Sequence, residues 1–242
     1  MKYFLDTEFL EGTQKKLFGK TKPTIDLISI GLFAEDGSEY YAISKDFNLK
    51  EAWNRHELKP DIDNGGMKKV YWIRENIMKP IFREWLYEGH AKAKLPLPEL
   101  NDNQFTYKNF KKFLKYFGKS NKEIADEIKL FTMQYSENKN EIWDKPEFYT
   151  YYGAYDWVVF CWLFGKMIDL PKGFPMYSKD LKQILDEKVS VFCAKEIQDT
   201  SFESAVKRIK IHKDYPKQTN EHNALADAKW NHELYKFLTK KL

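Results

Sequence analysis

Cysteine is scarce. The 242-residue sequence holds two, Cys161 and Cys193, with no CxxC spacing, so neither a zinc site nor a disulfide framework is indicated and reduced thiols in a cytoplasmic protein are the expectation. Long apolar runs are also lacking: no window approaches 18 uncharged apolar residues, and the first strand meets an acid at Asp6. This argues against a membrane span and a signal peptide. Charge of one sign is not in large excess, since 40 Lys and Arg face 36 Asp and Glu for a net +4. Such a balance is compatible with a nucleic-acid partner without arguing for one. Much of the surplus is lysine at helical spacing, Lys108, Lys111, Lys112, Lys115 and Lys119, the pattern of a solvated helix face. No internal repeat is seen.

What is present describes a folded globular chain, with 43% hydrophobic and 17% aromatic residues. At this length folding buries roughly 70 to 75% of the unfolded surface, enough for one large domain spanning residues 1–242. The chain opens with Met1-Lys-Tyr-Phe-Leu-Asp-Thr-Glu-Phe9, an apolar strand running into two carboxylates. In an extended chain residues i and i+2 face the same way, roughly 6.5 to 7 Å apart, so Asp6 and Glu8 converge on one spot. Two acids that close repel, and a divalent cation relieves the repulsion; oxygen-only ligands favour Mg²⁺, Mn²⁺ or Ca²⁺. A strand ending in a solvated polar turn is the plain alternative.

Along the chain, Glu11 to Thr24 reads as a loop, Ile25 to Phe33 and Glu39 to Ile43 as strands, and Glu35-Asp-Gly-Ser38 as the turn between them. Val70, Ile73, Ile77, Ile81 and Trp85 recur at helical spacing, as do Phe110, Phe113, Leu114 and Phe117 before Gly118. Ser120 with Glu123 is a capping box opening a helix to about Tyr135. Gly65-Gly66, the Pro96/Pro98 segment and Ser136 to Asp144 read as flexible connections. Glu147 to Tyr152 is a further strand leading into a helix over Trp157 to Lys166, Asp180 to Lys188 is a short amphipathic helix, and Glu221 to Lys241 is the last. The order predicts an α/β fold, a mixed sheet flanked by helices.

Three more residues stand out. Asp156 lies where an aromatic strand becomes a helix; its alternative role is an N-cap. Asp227 sits in the final helix among Ala224, Leu225, Ala226 and Ala228, small neighbours that let another element pack close. His222 precedes it by five residues, whereas His56, His90, His212 and His232 have no such coupling.

Asp6-Thr-Glu8, Tyr152-Gly-Ala-Tyr-Asp156 and His222-Asn-Ala-Leu-Ala-Asp227 resemble, in chain order, the three motifs of the DEDDh group of 3'-to-5' exonucleases, whose fold is ribonuclease H-like. The His-to-Asp interval matches the histidine subtype; the tyrosine subtype would have Tyr where this chain has Asn223. Tyr3-Phe-Leu-Asp-Thr-Glu-Phe, Asp26-Leu-Ile-Ser-Ile-Gly, Asp36-Gly-Ser-Glu-Tyr-Tyr-Ala-Ile-Ser44, Gly153-Ala-Tyr-Asp156 and Lys179-Asp-Leu-Lys-Gln183 are similar to the adenosine-specific exoribonucleases called RNase AS. The likeness covers residues 1–50, Trp72 to Pro80, 150–187 and 219–240. It departs in helix-rich insertions around 54–69, 82–106, 118–148 and 189–218.

The resemblance implies a metal-dependent 3'-to-5' exoribonuclease that releases nucleoside 5'-monophosphates from single-stranded RNA. It also implies an adenosine preference and a homodimer. Two divalent cations, Mg²⁺ or Mn²⁺, would be held by Asp6, Glu8, Asp156 and Asp227. His222 would be the general base, since imidazole titrates near neutrality. Phe9 and Leu10 would lie near the terminal nucleotides, where stacking on a base contributes about 1 to 3 kcal/mol; packing in the core is the alternative for Phe9. Two other readings use the same residues: an exodeoxyribonuclease of proofreading or phage type, and an inactive nucleic-acid-binding protein.

Overall fold

Tyr3, Phe4 and Leu5 are consecutive and all fully buried. Since successive strand residues point to opposite faces, the first strand must be covered on both sides, as an inner strand of a layered α/β fold is. The computed structural model describes residues 1–14, 22–92, 104–133, 145–195 and 201–240. In it that strand, β1 (Lys2–Gln14), lies in the middle of a five-stranded sheet. The sheet order is β3-β2-β1-β6-β7, with β2 at Lys22–Ala34, β3 at Glu39–Ile43, β6 at Glu147–Thr150 and β7 at Lys179–Asp180. β6 runs parallel to β1, from Lys2 opposite Glu147 to Phe4 opposite Tyr149, and β7 runs parallel to β6. The end of β2 meets the start of β1, where the Glu35 N–H donates to the Lys2 carbonyl at 3.0 Å. The turn after β2 is closed by Gly37 at φ +92° and by Asp36 Oδ1 accepting the Ser38 N–H at 3.0 Å.

Several expectations are revised. β1 does not stop at Phe9 but continues through Glu11-Gly-Thr-Gln14, the described start of the expected loop. Glu11 and Thr13 are exposed, and a strand open to water carries polar residues without ceasing to be a strand. Val70 belongs to no helix. It closes a hairpin of β4 (Glu57–Pro60) and β5 (Met67–Val70), paired from Glu57 opposite Val70 to Pro60 opposite Met67. Gly65 and Gly66, at φ +74° and +80°, supply the turn. The stretch around 54–69 is therefore a β-hairpin and not helix-rich. The helical stripe starts at Trp72 and includes a π-helical turn at Arg74–Met78 before α2 (Lys79–Lys92). Apolar residues spaced by four drift about 40° per step in a regular α-helix, and the wider turn takes up that drift, so Ile73, Ile77 and Ile81 all remain buried. The Pro96/Pro98 and Ser136 to Asp144 connections lie outside the described residues.

Among the described residues the other α-helices are α1 (Leu49–Asn54), α3 (Tyr107–Phe117), α4 (Asn121–Met133), α5 (Ala154–Phe164), α6 (Leu181–Lys195), α7 (Phe202–Lys210) and α8 (Ala224–Lys240). The expected capping box starts α4: Glu123 Oε2 accepts the Ser120 N–H at 2.6 Å, and Ser120 Oγ accepts the Glu123 N–H at 3.2 Å. α6 runs past its expected end because Leu181, Leu185 and Val189 continue one buried stripe.

The chain divides into two compact units, Met1–Thr7, Ile30–Tyr41 and Ile124–Leu242 in one, Glu8–Ser29 and Ala42–Glu123 in the other. The first has a core of Phe4, Tyr149, Leu181, Leu185, Val189, Ala205, Ile209, Leu234, Phe237 and Leu238. The second is centred on Leu10, Ile28, Phe47, Ile77, Met78, Phe82, Phe110 and Phe113. Each fully buried side chain of this size contributes about 1.5 to 3 kcal/mol. Among the described residues no helix is long and apolar enough to cross a membrane.

Candidate metal centre

The pleat of β1 presents Asp6 and Glu8 on the same face. The ladder to β6 is registered only as far as Phe4, so both acids stand beyond its last rung. α8 supplies a third carboxylate. Asp6, Glu8 and Asp227 each offer an oxygen, and these oxygens all lie within 4.8 Å of one another. Asp6 is half-buried while Glu8 and Asp227 are buried. Two ionised carboxylates at that distance repel by about 3 kcal/mol at an effective dielectric near 20. Three oxygen donors with no nitrogen or sulfur among them suit a hard divalent cation.

Asp227 is held on both oxygens. Gln218 Nε2 donates to Oδ1 at 2.7 Å and the His222 backbone N–H donates to Oδ2 at 2.9 Å. Burial raises its pKa above the usual carboxylate value, and these two bonds work against the shift. The start of α8 is fixed by Asn223, whose Oδ1 accepts the N–H groups of Leu225 and Ala226 at 3.1 Å each. Close packing of the helix start on β2 depends on a glycine: a Cβ at Gly31 would fall 2.3 Å from the Ala224 carbonyl oxygen. One turn further along α8, Asn231 Nδ2 donates to the Leu5 carbonyl at 3.1 Å.

Asp156 is not the N-cap of α5. That position belongs to Gly153, and Asp156 lies in the first turn, 7% exposed. Its Oδ1 accepts from the Thr7 N–H at 2.9 Å and from Thr7 Oγ1 at 2.6 Å, tying it to the residue between the β1 acids. Burial pushes its pKa up to about 6, with the Thr7 bonds opposing and Asp180 adding to the rise. It is not one of the three acids whose oxygens converge.

Among the described residues, three other than glycine adopt the left-handed conformation: Tyr152 (φ +55°), Asn220 (+57°) and His222 (+68°). Each costs about 1 to 3 kcal/mol, a strain that persists only where surrounding structure imposes it. All three lie in the loops that lead into α5 and α8, the helices carrying Asp156 and Asp227. The Tyr152 corner is held by Asp180, which accepts the N–H groups of Tyr152 and Gly153 at 3.3 and 3.1 Å. A Cβ at Gly153 would fall 1.8 Å from Thr150 Oγ1.

Thr7, Gln218, Asn223, Asp180 and Asn231 support the site without having been singled out in the sequence. Thr7, Asp180 and Asn223 fell within quoted motifs but were given no role there, whereas Gln218 and Asn231 belonged to none of them. Of the two residues after Glu8, Phe9 is half-buried and lines a cavity of about 250 Å³, whereas Leu10 is 1% exposed in an apolar core. Tyr152 and Tyr155 are exposed.

No family model matches the chain. Among curated proteins it is similar to two named 3'-5' exoribonuclease, from Mycobacterium tuberculosis strains H37Rv and CDC 1551. In each case identity is 28% over 188 residues, covering 78% of this chain and 76% of the relative.

Proposed function

We propose that this chain, like the mycobacterial proteins it resembles, is a 3'-to-5' exoribonuclease, and that it works by the metal-dependent DEDDh mechanism. The observation that carries this reading is the convergence of Asp6, Glu8 and Asp227, from opposite ends of the sequence, to within 4.8 Å. The sheet order, with β6 and β7 parallel to the acid-bearing strand, supports a ribonuclease H-like fold. The donor set fits two Mg²⁺ or Mn²⁺ ions, with Asp6, Glu8 and Asp227 as ligands and Asp156 supporting the second. The chemistry that bound ions would supply there is a lowered pKa of a water and an offset to charge building on phosphate oxygens.

The chain's own residues do the rest. His222 takes a proton from the attacking water as the water oxygen bonds to the phosphorus of the 3'-terminal linkage; the bond from that phosphorus to the upstream 3'-oxygen breaks, the 3'-oxygen takes up a proton from solvent to become the new 3'-hydroxyl of the shortened strand, and a nucleoside 5'-monophosphate leaves. Gln218 and the His222 N–H orient Asp227, and Thr7 orients Asp156. Phe9 stacks on a base near the 3' end, while Leu10, on the other face of β1, packs in the core. Preference for adenosine rests on the family resemblance, and a cytoplasmic location on the scarcity and spacing of the cysteines. A homodimer is supported by α5, which is apolar almost all round yet exposes Tyr155, Val158 and Trp162 along one face.

The test is a ladder assay on 5'-labelled homopolymeric RNA and matched DNA with Mg²⁺ or Mn²⁺, alongside Asp6→Asn. Stepwise shortening of RNA from the 3' end, abolished by chelator and by the substitution, is expected. Shortening of DNA alone, or binding with no nucleotide released in Mn²⁺, overturns it.

A further inference from the structure

The cavity beside Phe9 has a chemistry that the metal acids do not explain. Its lining is Phe9, Glu11, Arg55, His56, Glu57, Val70, Trp72 and Ile73. Phe9 directly follows Glu8, and Phe9 and Glu11 alternate on β1 and so share a face. The far wall is built by the β4–β5 hairpin, through Glu57 and Val70, and by Trp72 just beyond it. Trp72 is 39% exposed although it is the largest apolar side chain there.

At about 250 Å³ the space is smaller than a typical drug-sized pocket but suits one planar ring system. Phe9 and Trp72 bring aromatic rings to its lining, and the His56 imidazole there packs against Tyr71 at 5.3 Å. Besides His56, the described polar groups of the lining are the carboxylates of Glu11 and Glu57 and the Arg55 guanidinium, which is already paired with Glu51 at 2.5 Å. Carboxylates repel a phosphate but accept hydrogen bonds from ring and exocyclic N–H groups. The geometry points to a subsite for one nucleobase of the substrate strand, stacked on Trp72 between the hairpin and Phe9. The sugar–phosphate backbone stays outside. This deepens the exoribonuclease reading and rests on it for the identity of the strand.

The experiment compares wild type, Trp72→Ala and Trp72→Phe on short 5'-labelled RNAs carrying a single abasic nucleotide at each of the six positions from the 3' end. Binding is read by fluorescence anisotropy in Ca²⁺, and turnover in Mg²⁺ or Mn²⁺. In wild type, one abasic position weakens binding about 5- to 150-fold, the equivalent of one lost base–aromatic stack. In Trp72→Ala intact RNA binds more weakly by a similar factor and the abasic penalty at that position disappears, while Trp72→Phe restores most of both. An abasic penalty unchanged in Trp72→Ala overturns the subsite, even where turnover establishes the nuclease. Trp72-dependent base binding with no turnover upholds the subsite and counts against the nuclease instead.

Discussion

Asn231 donates from Nδ2 to the carbonyl oxygen of Leu5 at 3.1 Å, so a side chain one turn beyond Asp227 holds the backbone immediately before Asp6. Both groups are buried, and Asn231 is 1% exposed. Asn231→Leu leaves the carbonyl without its donor in a site that water does not readily enter, at a cost of about 1 to 3 kcal/mol. Urea unfolding should record that loss, and Mn²⁺ titration should show weaker binding than in wild type. Full Mn²⁺ affinity in the substituted protein would mean that this bond does not set the spacing of the acids.

Asp156 gives a pH dependence of stability with a defined sign. Its folded-state pKa of about 6 lies above the ordinary 3.8, so the fold favours the protonated carboxyl. That contribution is complete below about pH 3.8 and is lost as pH rises through about 6. Asp156→Asn mimics the protonated form at every pH. In chelator, the stability of wild type relative to Asp156→Asn should therefore fall by up to about 3 kcal/mol between pH 4 and pH 7. Thr7→Val, which removes the 2.6 Å bond, should move the midpoint upward. A difference that stays flat across that range contradicts the assignment.

Gly31→Ala should be damaging although Ala is the better residue for most strands. The new methyl group would meet the Ala224 carbonyl at 2.3 Å, and backbone cannot swing aside as a side chain can. An overpacking cost of about 1 to 3 kcal/mol follows, together with lower turnover, because the displaced segment carries His222 and Asp227. Thermal unfolding and a kinetic assay check both.

His222→Ala should lower turnover by roughly two to four orders of magnitude, the usual worth of a proton-transfer group. Its backbone N–H, which serves Asp227, is kept, so Mn²⁺ binding should survive. Turnover unchanged at neutral pH would remove the imidazole from the chemistry.

The convergence of Asp6, Glu8 and Asp227 was legible because the first two are spaced two residues apart on a strand and the third follows a helix start within a matched motif. Their supports were not, since Thr7 meets Asp156 across 149 residues and Asn231 meets Leu5 across 226. Gln218 is one polar residue in a polar loop, and nothing local marks it as the partner of Asp227. The strands and long helices followed from their periodicity. The far end of β1 did not, because its residues are as polar as a loop's. The β4–β5 hairpin was hidden because Val70 happens to fall in step with the helical stripe after it.

The parting of β1 from β6 after Phe4 has a practical outcome. Asp6 and Glu8 hang from a strand already anchored upstream by its parallel neighbour, and Asp227 from a helix seated by Asn223 and by residues further along. Mutual repulsion among the carboxylates thus presses on a frame clamped elsewhere. Each acid can be exchanged for its amide, singly or together, and the frame should stay assembled, leaving ion binding and cleavage to be dissected free of any collapse of the polypeptide.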